Sequence, residues 1–379
     1  MNINSFVPQE RLLHGPGPSG VHPRTLQAMA RPTIGHLDPE FVGFMEDVKE
    51  MLQAILHTKN RLTFPVSGPG SVGMETCFVN LIEPDDRAVV CVNGVFGQRM
   101  VENVKRAGGI PLVLECKWGE AVQPEKLHEF LKEQNRHGRV KAAAFVHAET
   151  STGALSDAAA LCEIIRSSDA LVIMDAVTSV GGVPVKMDEW GVDALYSGTQ
   201  KCLSCPPGLS PVSFSDRALN KILNRKSPVQ SWFMDLSLVQ KYWDVQGQAR
   251  TYHHTAPINL LYALHEALVL FFQEGEAAVF KRHQEVAAEL KTGLLDLGFS
   301  YLVHETAQMP QLHVVIPPAQ ILPQEAKVRA ALLQNEYIEI GGGLGELAGK
   351  VWRIGLMGHS ARRENVAKIL QSLRKIIHA

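Results

Sequence analysis

The sequence lacks the features that mark several common classes of protein. It has no excess of either charge, with 37 lysine and arginine residues against 39 aspartate and glutamate residues in a chain of 379. Nucleic-acid-binding proteins concentrate basic residues, so a formal net charge of −2 argues against such a partner. No uninterrupted apolar run approaches the length that spans a bilayer, and we expect no membrane partner either. We therefore expect a protein that acts on small molecules.

Cysteine is scarce as well, and its placement argues against a disulfide framework or a metal site. The six cysteines are scattered through apolar segments, a pattern typical of reduced, buried thiols in a large chain. Cys202 and Cys205 have C-x-x-C spacing, but no second pair accompanies them as a zinc site would need. The adjacent His253 and His254 point in different directions, and no cysteine or carboxylate lies at ligand spacing from them. We expect no metal.

The two ends of the sequence carry no targeting signal. Residues 1–5 do not combine a basic region with an apolar one, and residues 376–379 do not form a peroxisomal tripeptide. We expect the protein to remain in the cytoplasm.

The sequence is rich in short apolar runs that alternate with stretches of helical period. The runs are 63–66, 88–92, 111–114, 140–146, 171–174, 194–196 and 210–214. Strands that alternate with helices indicate right-handed βαβ crossovers and a mostly parallel sheet covered on both faces. The sequence therefore predicts an α/β fold.

The chain divides into three predicted regions. Residues 1–20 form an N-terminal arm rich in glycine and proline, with little capacity for regular structure. Residues 21–256 contain the alternating strands and helices and form a large domain. Residues 257–379 begin with a connector helix that has one apolar stripe, and continue as a smaller C-terminal α+β domain.

Two polar residues follow neighbouring strands of the predicted sheet. Asp175 comes directly after one apolar run, and Lys201 lies shortly after the next. Each could be ordinary alone, Asp175 as a turn cap and Lys201 as a solvated surface residue. Because the carboxyl ends of parallel strands meet at one edge of a sheet, we expect the two side chains to share a crevice. There a lysine can form a Schiff base with an aldehyde, and an acid can keep a heteroaromatic nitrogen protonated.

This division of labour is that of pyridoxal phosphate chemistry, which also needs partners for the phosphate, the ring and the ring hydroxyl. The small-residue turn at Gly70 and Ser71 opens a helix and can present backbone N–H groups to a phosphate. Phe96 could stack on a ring or pack in the core. Thr150 lies in a hydroxyl-rich loop that could bind the ring hydroxyl or form a simple turn.

Arg353 is an arginine inside an apolar strand of the predicted small domain. Its burial is favourable if it faces a carboxylate, because the two groups pair through two parallel hydrogen bonds. A charge-assisted hydrogen bond contributes about 1.5–3 kcal/mol, which suits recognition of an amino-acid or keto-acid carboxylate. An internal salt bridge is the alternative interpretation.

Seven motifs follow one another along nearly the whole chain. They are 15–19 (GPGPS), 67–70 (SGPG), 150–153 (TSTG), 174–179 (MDAVTS), 197–201 (SGTQK), 252–255 (YHHT) and 351–355 (VWRIG). Together they resemble those of the class V aminotransferases, specifically the alanine–glyoxylate and serine–pyruvate aminotransferase group. The resemblance implies fold type I of the transferases that depend on pyridoxal 5'-phosphate. It also implies a large domain with a mostly parallel sheet of the seven-stranded type, and a homodimer with shared active sites.

The resemblance further implies roles for individual residues. Lys201 would be the Schiff-base lysine and Asp175 the partner of the cofactor's ring nitrogen. The other cofactor-binding residues would be Gly70, Ser71, Phe96, Thr150 and Gln200, with Tyr252 and Thr255 reaching in from the neighbouring subunit. The substrate-binding residues would be Gly17, His36 and Arg353. The family often has tryptophan in place of Phe96 and histidine in place of Ser71, so the sequence departs from the pattern at these two contacts.

We therefore expect transamination of a small amino acid, alanine or serine, with glyoxylate or pyruvate as the amino acceptor. Alternatives within the class are a ureidoglycine–glyoxylate, a 3-hydroxykynurenine or an aminoethylphosphonate transaminase. A cysteine desulfurase would need a cysteine in a loop shortly before Arg353, where this sequence has none. A non-catalytic protein that binds the cofactor could retain Lys201 and lose Arg353, whereas this chain has both.

Overall fold

The computed structural model describes residues 3–243 and 250–377. Residues 1–2, 244–249 and 378–379, which belong to the predicted arm, large domain and small domain respectively, lie outside the described residues. The strands, in chain order, are β1 Leu12–Leu13, β2 Leu62–Ser67, β3 Arg87–Val92, β4 Ile110–Glu115, β5 Val140–Val146, β6 Ala148–Glu149, β7 Ala154–Leu155, β8 Leu171–Asp175, β9 Ala194–Tyr196, β10 Leu209–Phe214, β11 Ser300–Tyr301, β12 Leu312–Ile316, β13 Ile338–Glu339, β14 Gly341–Gly342 and β15 Trp352–Gly355.

The α-helices are placed between these strands and after them. They are α1 Pro23–Met29, α2 Pro39–Ile55, α3 Gly70–Leu81, α4 Val95–Arg106, α5 Pro124–Arg136, α6 Ala158–Ser167, α7 Met187–Trp190, α8 Asp216–Leu223, α9 Leu236–Trp243, α10 Ile258–Glu274, α11 Glu276–Asp296, α12 Glu325–Asn335 and α13 Arg363–Ile377. Among the described residues, no helix is both long and apolar enough to cross a membrane.

The predicted large domain contains a seven-stranded sheet in the order β2-β10-β9-β8-β5-β3-β4. The pairs from β9 to β4 are parallel, whereas β10 is antiparallel to both of its neighbours. Strands β8, β9 and β10 are almost entirely buried, because helices cover both faces of the sheet, and this explains their continuous apolar sequences. The structure confirms the predicted α/β fold with a mostly parallel sheet.

The small domain contains an antiparallel sheet in the order β11-β12-β15-β14. Its core includes Trp352 and Ile354 of β15 together with Leu370 and Leu373 of α13. Strand β1 of the arm pairs in parallel with β13, so the arm is held against the small domain at Leu12. The division of the chain into arm, large domain and small domain stays a prediction.

The order of the strands brings the two polar residues of the prediction to one edge of the large sheet. β8 and β9 are parallel neighbours, and Asp175, the last residue of β8, lies opposite Tyr196, the last residue of β9. The turn that carries Lys201 follows β9 directly. The carboxyl ends of these strands therefore open into one crevice, where α/β sheets bind ligands.

Candidate active site

A cavity of about 200 Å³ lies at the carboxyl ends of β8 and β9. Its lining includes many of the predicted site residues, namely Gly70, Ser71, Phe96, Thr150, Asp175, Gln200 and Lys201. These residues come from five separate segments of the chain. The crossovers of the sheet bring them together at one edge.

Lys201 is buried, with 8% of its surface exposed. Its Nζ donates a hydrogen bond to the carbonyl oxygen of Pro16 in the arm. Burial, and next the charge of Arg353, lowers the pKa of Lys201 from 10.5 to about 8, although Asp175 opposes the shift. A substantial fraction of this amine is therefore neutral near physiological pH, as a nucleophile or base requires.

Asp175 is also buried, with 3% of its surface exposed. Burial raises the pKa of Asp175 from 3.8 to about 7, although a hydrogen bond from the backbone N–H of Val177 at 2.8 Å lowers it. The negative charge of Glu149 adds to the rise and the positive charge of Lys201 opposes it. A cation placed against Asp175 would relieve the cost of burying the carboxylate.

The first turn of α3 forms one wall of the cavity. Pro69 precedes the helix and offers no side-chain acceptor to the backbone N–H groups of Gly70 and Ser71. A Cβ added to Gly70 would lie 3.2 Å from Val177 Cγ2, so glycine keeps this wall close to the end of β8. Uncapped N–H groups at the positive end of a twelve-residue helix are suited to an anion such as a phosphate. The side chain of Gln200 lies at the same cavity.

Glu149, a residue to which the sequence analysis gave no role, joins the start of α4 at Phe96 to the loop that contains Thr150 and Ser151. Glu149 is fully buried; its Oε1 accepts hydrogen bonds from the backbone and hydroxyl of Ser151, and its Oε2 accepts one from the backbone of Phe96 at 3.2 Å. Burial raises the pKa of Glu149, and the bonds from Ser151 oppose this. A Cβ added to Gly94 would lie 2.6 Å from Glu149 Cγ, so the glycine makes room for this carboxylate.

Arg353 lies on β15 and is 6% exposed. Its Nε donates to Gly342 O at 2.7 Å, and its Nη1 donates to Thr150 O at 3.3 Å. Burial lowers the pKa of Arg353 to about 10, which still leaves it protonated at neutral pH. Within the described residues, no carboxylate pairs with this guanidinium, so the internal salt bridge considered above is not formed. The charge of Arg353 is placed to receive a carboxylate from outside the chain.

Three of the predicted residues, His36, Tyr252 and Thr255, do not line the cavity of their own chain. Tyr252 is 59% exposed, Thr255 is exposed, and the ring of His36 lies 5.1 Å from that of Tyr252. His36 also approaches Tyr242 Oη, at 3.3 Å from Nδ1. The structure therefore places His36 beside Tyr252 and outside the lining of the cavity in the same chain.

Two further lining residues carry polar groups that the motifs did not single out. Tyr196 ends β9, is fully buried and is close enough to Asp175 to lower its pKa. Arg99 of α4 lies over the Phe96 ring at 4.9 Å from its centroid. The position of Tyr196 at the end of a predicted strand could have indicated that it lies at the site. Among the described residues, no group of histidine, cysteine and acidic side chains is arranged to hold a metal.

Comparison with known proteins relates this site to one family of enzymes. A sequence model of the family "Aminotransferase class-V" matches residues 24–346. The (S)-ureidoglycine–glyoxylate transaminase of Bacillus subtilis is 37% identical, over 97% of this chain and 90% of that protein. The alanine–glyoxylate aminotransferase of Rattus norvegicus is also 37% identical, over 97% and 88% of the two chains. The crystal structure of alanine–glyoxylate aminotransferase from Nostoc sp. superposes with a TM-score of 0.95 at 42% identity, covering 100% of this chain and 98% of that one.

The chain belongs to the class V aminotransferase family. The resemblance seen in its motifs is thereby confirmed, and so is the prediction that the protein is an aminotransferase. Aminotransferases of this class depend on pyridoxal phosphate.

Proposed function

We propose that the protein catalyses pyridoxal phosphate-dependent transamination between a small amino acid, alanine or serine, and glyoxylate or pyruvate. The observation that carries this proposal is the shared cavity of Lys201 and Asp175, with the buried Arg353, which forms no ion pair with any described residue, close enough for its charge to act on Lys201. The names of the similar proteins support glyoxylate as the acceptor, because both are glyoxylate transaminases.

The residues present fit pyridoxal phosphate. Lys201 Nζ would bond the aldehyde carbon, and the uncapped N–H groups of Gly70 and Ser71, with Gln200, would hold the phosphate. Phe96 would lie against the ring, and Thr150 would contact the ring hydroxyl. When bound, the cofactor supplies an electron sink for the negative charge that develops at the substrate's α-carbon. Asp175 would stabilise the protonated ring nitrogen that makes this sink effective.

The chain's own groups account for the proton movements. Lys201 Nζ would hold the cofactor when no substrate is bound and, when free, would act as the base that moves a proton at the substrate's α-carbon. Its lowered pKa leaves the amine able to accept a proton near neutral pH. Arg353 holds the substrate carboxylate, and because the two half-reactions use the same site, it serves the amino acid and the 2-oxo acid in turn.

Substitution of Lys201 tests this proposal. We expect Lys201→Met, which replaces a buried cation with an apolar side chain of similar length, to fold but to lose turnover and the visible absorbance of the lysine-bound cofactor. Lys141→Ala is the matched control, because Lys141 is exposed on β5 and away from the cavity. A Lys201→Met enzyme that turned over at the wild-type rate would refute the proposal.

Ureidoglycine is a second candidate donor, since a ureidoglycine–glyoxylate transaminase matches this chain as well as an alanine–glyoxylate aminotransferase does. Single-turnover half-reactions of the holoenzyme with alanine, serine, ureidoglycine and 3-hydroxykynurenine would separate the candidates. The physiological donor is expected to convert the cofactor with the largest ratio of rate to dissociation constant. Conversion by ureidoglycine alone would replace the first candidate with the second.

A further inference from the structure

A second cavity lies behind the turn that carries Lys201. It has a volume of about 300 Å³ and is lined by residues of α1, α10, α11, the turn after Lys201 and the segment before α13. The two cavities share no lining residue, although Cys202, which lines the second cavity, directly follows Lys201 in the sequence. Its volume is at the lower end of the range for small-molecule sites.

The polar side of this second cavity is basic. Arg282 is satisfied within the fold, since it pairs with Glu274 at 2.6 Å and donates to the carbonyl oxygen of Gly358 at 2.8 Å. Arg362 is different: it is partly open to solvent, its guanidinium donates to His359, and it forms no ion pair with a carboxylate of the described residues, although its charge reaches Glu274 at longer range. The lining of this cavity therefore carries two guanidinium groups, Arg282 and Arg362, against one carboxylate, Glu274, and has an excess of positive charge.

Two histidines stand beside Arg362, with ring centroids 4.6 Å apart. His359 Nδ1 accepts a hydrogen bond from Arg362 at 2.8 Å, and His22 Nδ1 accepts one from the backbone of Arg24 at 3.1 Å. Burial, and next the charge of Arg362, lowers the pKa of both rings, that of His359 to about 4. Both rings are thus neutral, and each carries its proton on Nε2, where it can donate to an anion.

Thr25 supplies a hydroxyl that the fold leaves without a partner. It lines the second cavity, it is fully buried, and its Oγ1 forms no hydrogen bond to any described residue. A buried hydroxyl without a partner destabilises a fold unless a ligand or water satisfies it. This hydroxyl therefore points to a polar group bound in the cavity.

The opposite wall is apolar and is formed by Leu203, Leu270, Phe271 and Val279. We propose that the second cavity binds a small organic carboxylate with an apolar body. The carboxylate pairs with Arg362, with His22, His359 and Thr25 as further donors, and the apolar body packs against Phe271. Such a ligand matches the excess of positive charge on one side and the hydrophobic wall on the other.

The position of this cavity links it to the catalytic turn. Ser204 Oγ accepts a hydrogen bond from the backbone of His359 at 2.7 Å, which joins the turn to the small domain. Ser19 Oγ donates to Lys201 O at 2.7 Å, which joins the same turn to the arm. A ligand in the cavity contacts the turn and both domains at once.

Isothermal titration of the holoenzyme with benzoate tests the proposal, with benzamide as an uncharged ligand of the same shape. We expect saturable binding of benzoate and none of benzamide. Arg362→Gln should weaken benzoate binding tenfold or more, equal to about 1.4 kcal/mol. Thr25→Val, which removes only the unpartnered hydroxyl and keeps the side-chain shape, should weaken it about threefold.

The controls distinguish this cavity from the substrate site. Arg363 is adjacent in sequence but pairs with Glu289 at 2.9 Å on the exposed face of α13, so Arg363→Gln should leave benzoate binding unchanged. Arg353→Lys should also leave it unchanged, because Arg353 belongs to the Lys201 site. Benzoate binding that is lost in Arg353→Lys and retained in Arg362→Gln, equal binding of benzamide, or no binding at all would overturn the proposal.

Discussion

Gly17 of the arm lies directly over the side chain of Lys201. A Cβ added to Gly17 would lie 2.5 Å from Lys201 Nζ and 2.6 Å from its Cδ, closer than real side chains approach. The backbone of Gly17 has φ +102°, a conformation that other residues rarely adopt. The arm therefore covers the lysine with bare backbone and leaves no space for a side chain.

This contact predicts that Gly17→Ala will displace either the arm or Lys201. We expect the fold to remain, because the change lies outside the helices and the large sheet. The absorbance of the lysine-bound cofactor and kcat/KM should fall together by tenfold or more, about 1.4 kcal/mol of transition-state stabilisation. Gly43→Ala, where no atom lies within 4 Å of the added Cβ, is the control. Wild-type absorbance and turnover in Gly17→Ala would contradict this prediction.

Asp175 predicts a pH dependence of stability in the protein without cofactor. Its pKa is raised from 3.8 to about 7 in the fold, so the folded state binds the proton more tightly than the unfolded state. This contribution to stability is complete below pH 4 and is lost as the pH rises through 7. Asp175→Asn should therefore gain stability relative to the wild type between pH 4 and pH 7, while the loaded enzyme loses activity.

Thermal unfolding of the two cofactor-free proteins across this pH range measures the effect. The difference in midpoint temperature should be smallest below pH 3.8, where Asp175 is mainly protonated in both the folded and the unfolded state, and largest above pH 7. A difference that does not change with pH would show that Asp175 is not the residue responsible.

If Arg353 binds the carboxylate of both substrates, one substitution at this position should weaken the binding of both. Lysine keeps the charge at this position but cannot form two parallel hydrogen bonds with a carboxylate. In Arg353→Lys the KM for the amino donor and the KM for the 2-oxo acid should both rise, by about tenfold or more. Arg329→Lys is the matched control, since Arg329 lies in the same domain and pairs with Glu325 at 2.7 Å. A rise in only one KM would contradict a common carboxylate site.

The large sheet could be predicted from sequence because its strands are buried on both faces and therefore appear as continuous apolar runs. The run 171–174 became β8 with only Asp175 added, and the run 194–196 became β9 unchanged. Contacts between distant segments left no such pattern. Lys201 and Pro16 are 185 positions apart, and nothing local to either residue indicates that they meet. Glu149 was missed because its role depends on the backbone of α4.

Replacement of Glu149 should destabilise the fold, by an amount that depends on how many acceptor oxygen atoms the new side chain keeps. Alanine at this position would leave the buried backbone N–H groups of Ser151 and Phe96 without an acceptor, at a cost of about 1–3 kcal/mol in the free energy of unfolding. Glu149→Gln retains one acceptor oxygen and should lose less. Urea unfolding measures both variants, with Glu129→Ala on the exposed face of α5 as the control. Equal losses in the alanine and glutamine variants would exclude this account.

The exposed positions of Tyr252 and Thr255 lead us to predict that each active site is completed by residues of a neighbouring subunit. Both are exposed in one chain, although the motif that contains them resembles a phosphate-binding segment of its family. If each reaches the cavity of a neighbouring subunit, a mixed dimer can restore what two inactive variants lack. One partner would carry Lys201→Met and the other the double change Tyr252→Ala and Thr255→Ala.

The two variants, unfolded and refolded together in equal amounts, should recover roughly a quarter of wild-type activity, because about half of the dimers are mixed and each contains one complete site. The control pairs Lys201→Met with Asp175→Asn. These two residues line the same cavity of one chain, so no combination of subunits can bring an intact Lys201 and an intact Asp175 into one site. Recovery in the first mixture and none in the second requires a site built from two chains. Equal behaviour of the two mixtures would place Tyr252 and Thr255 outside the active site.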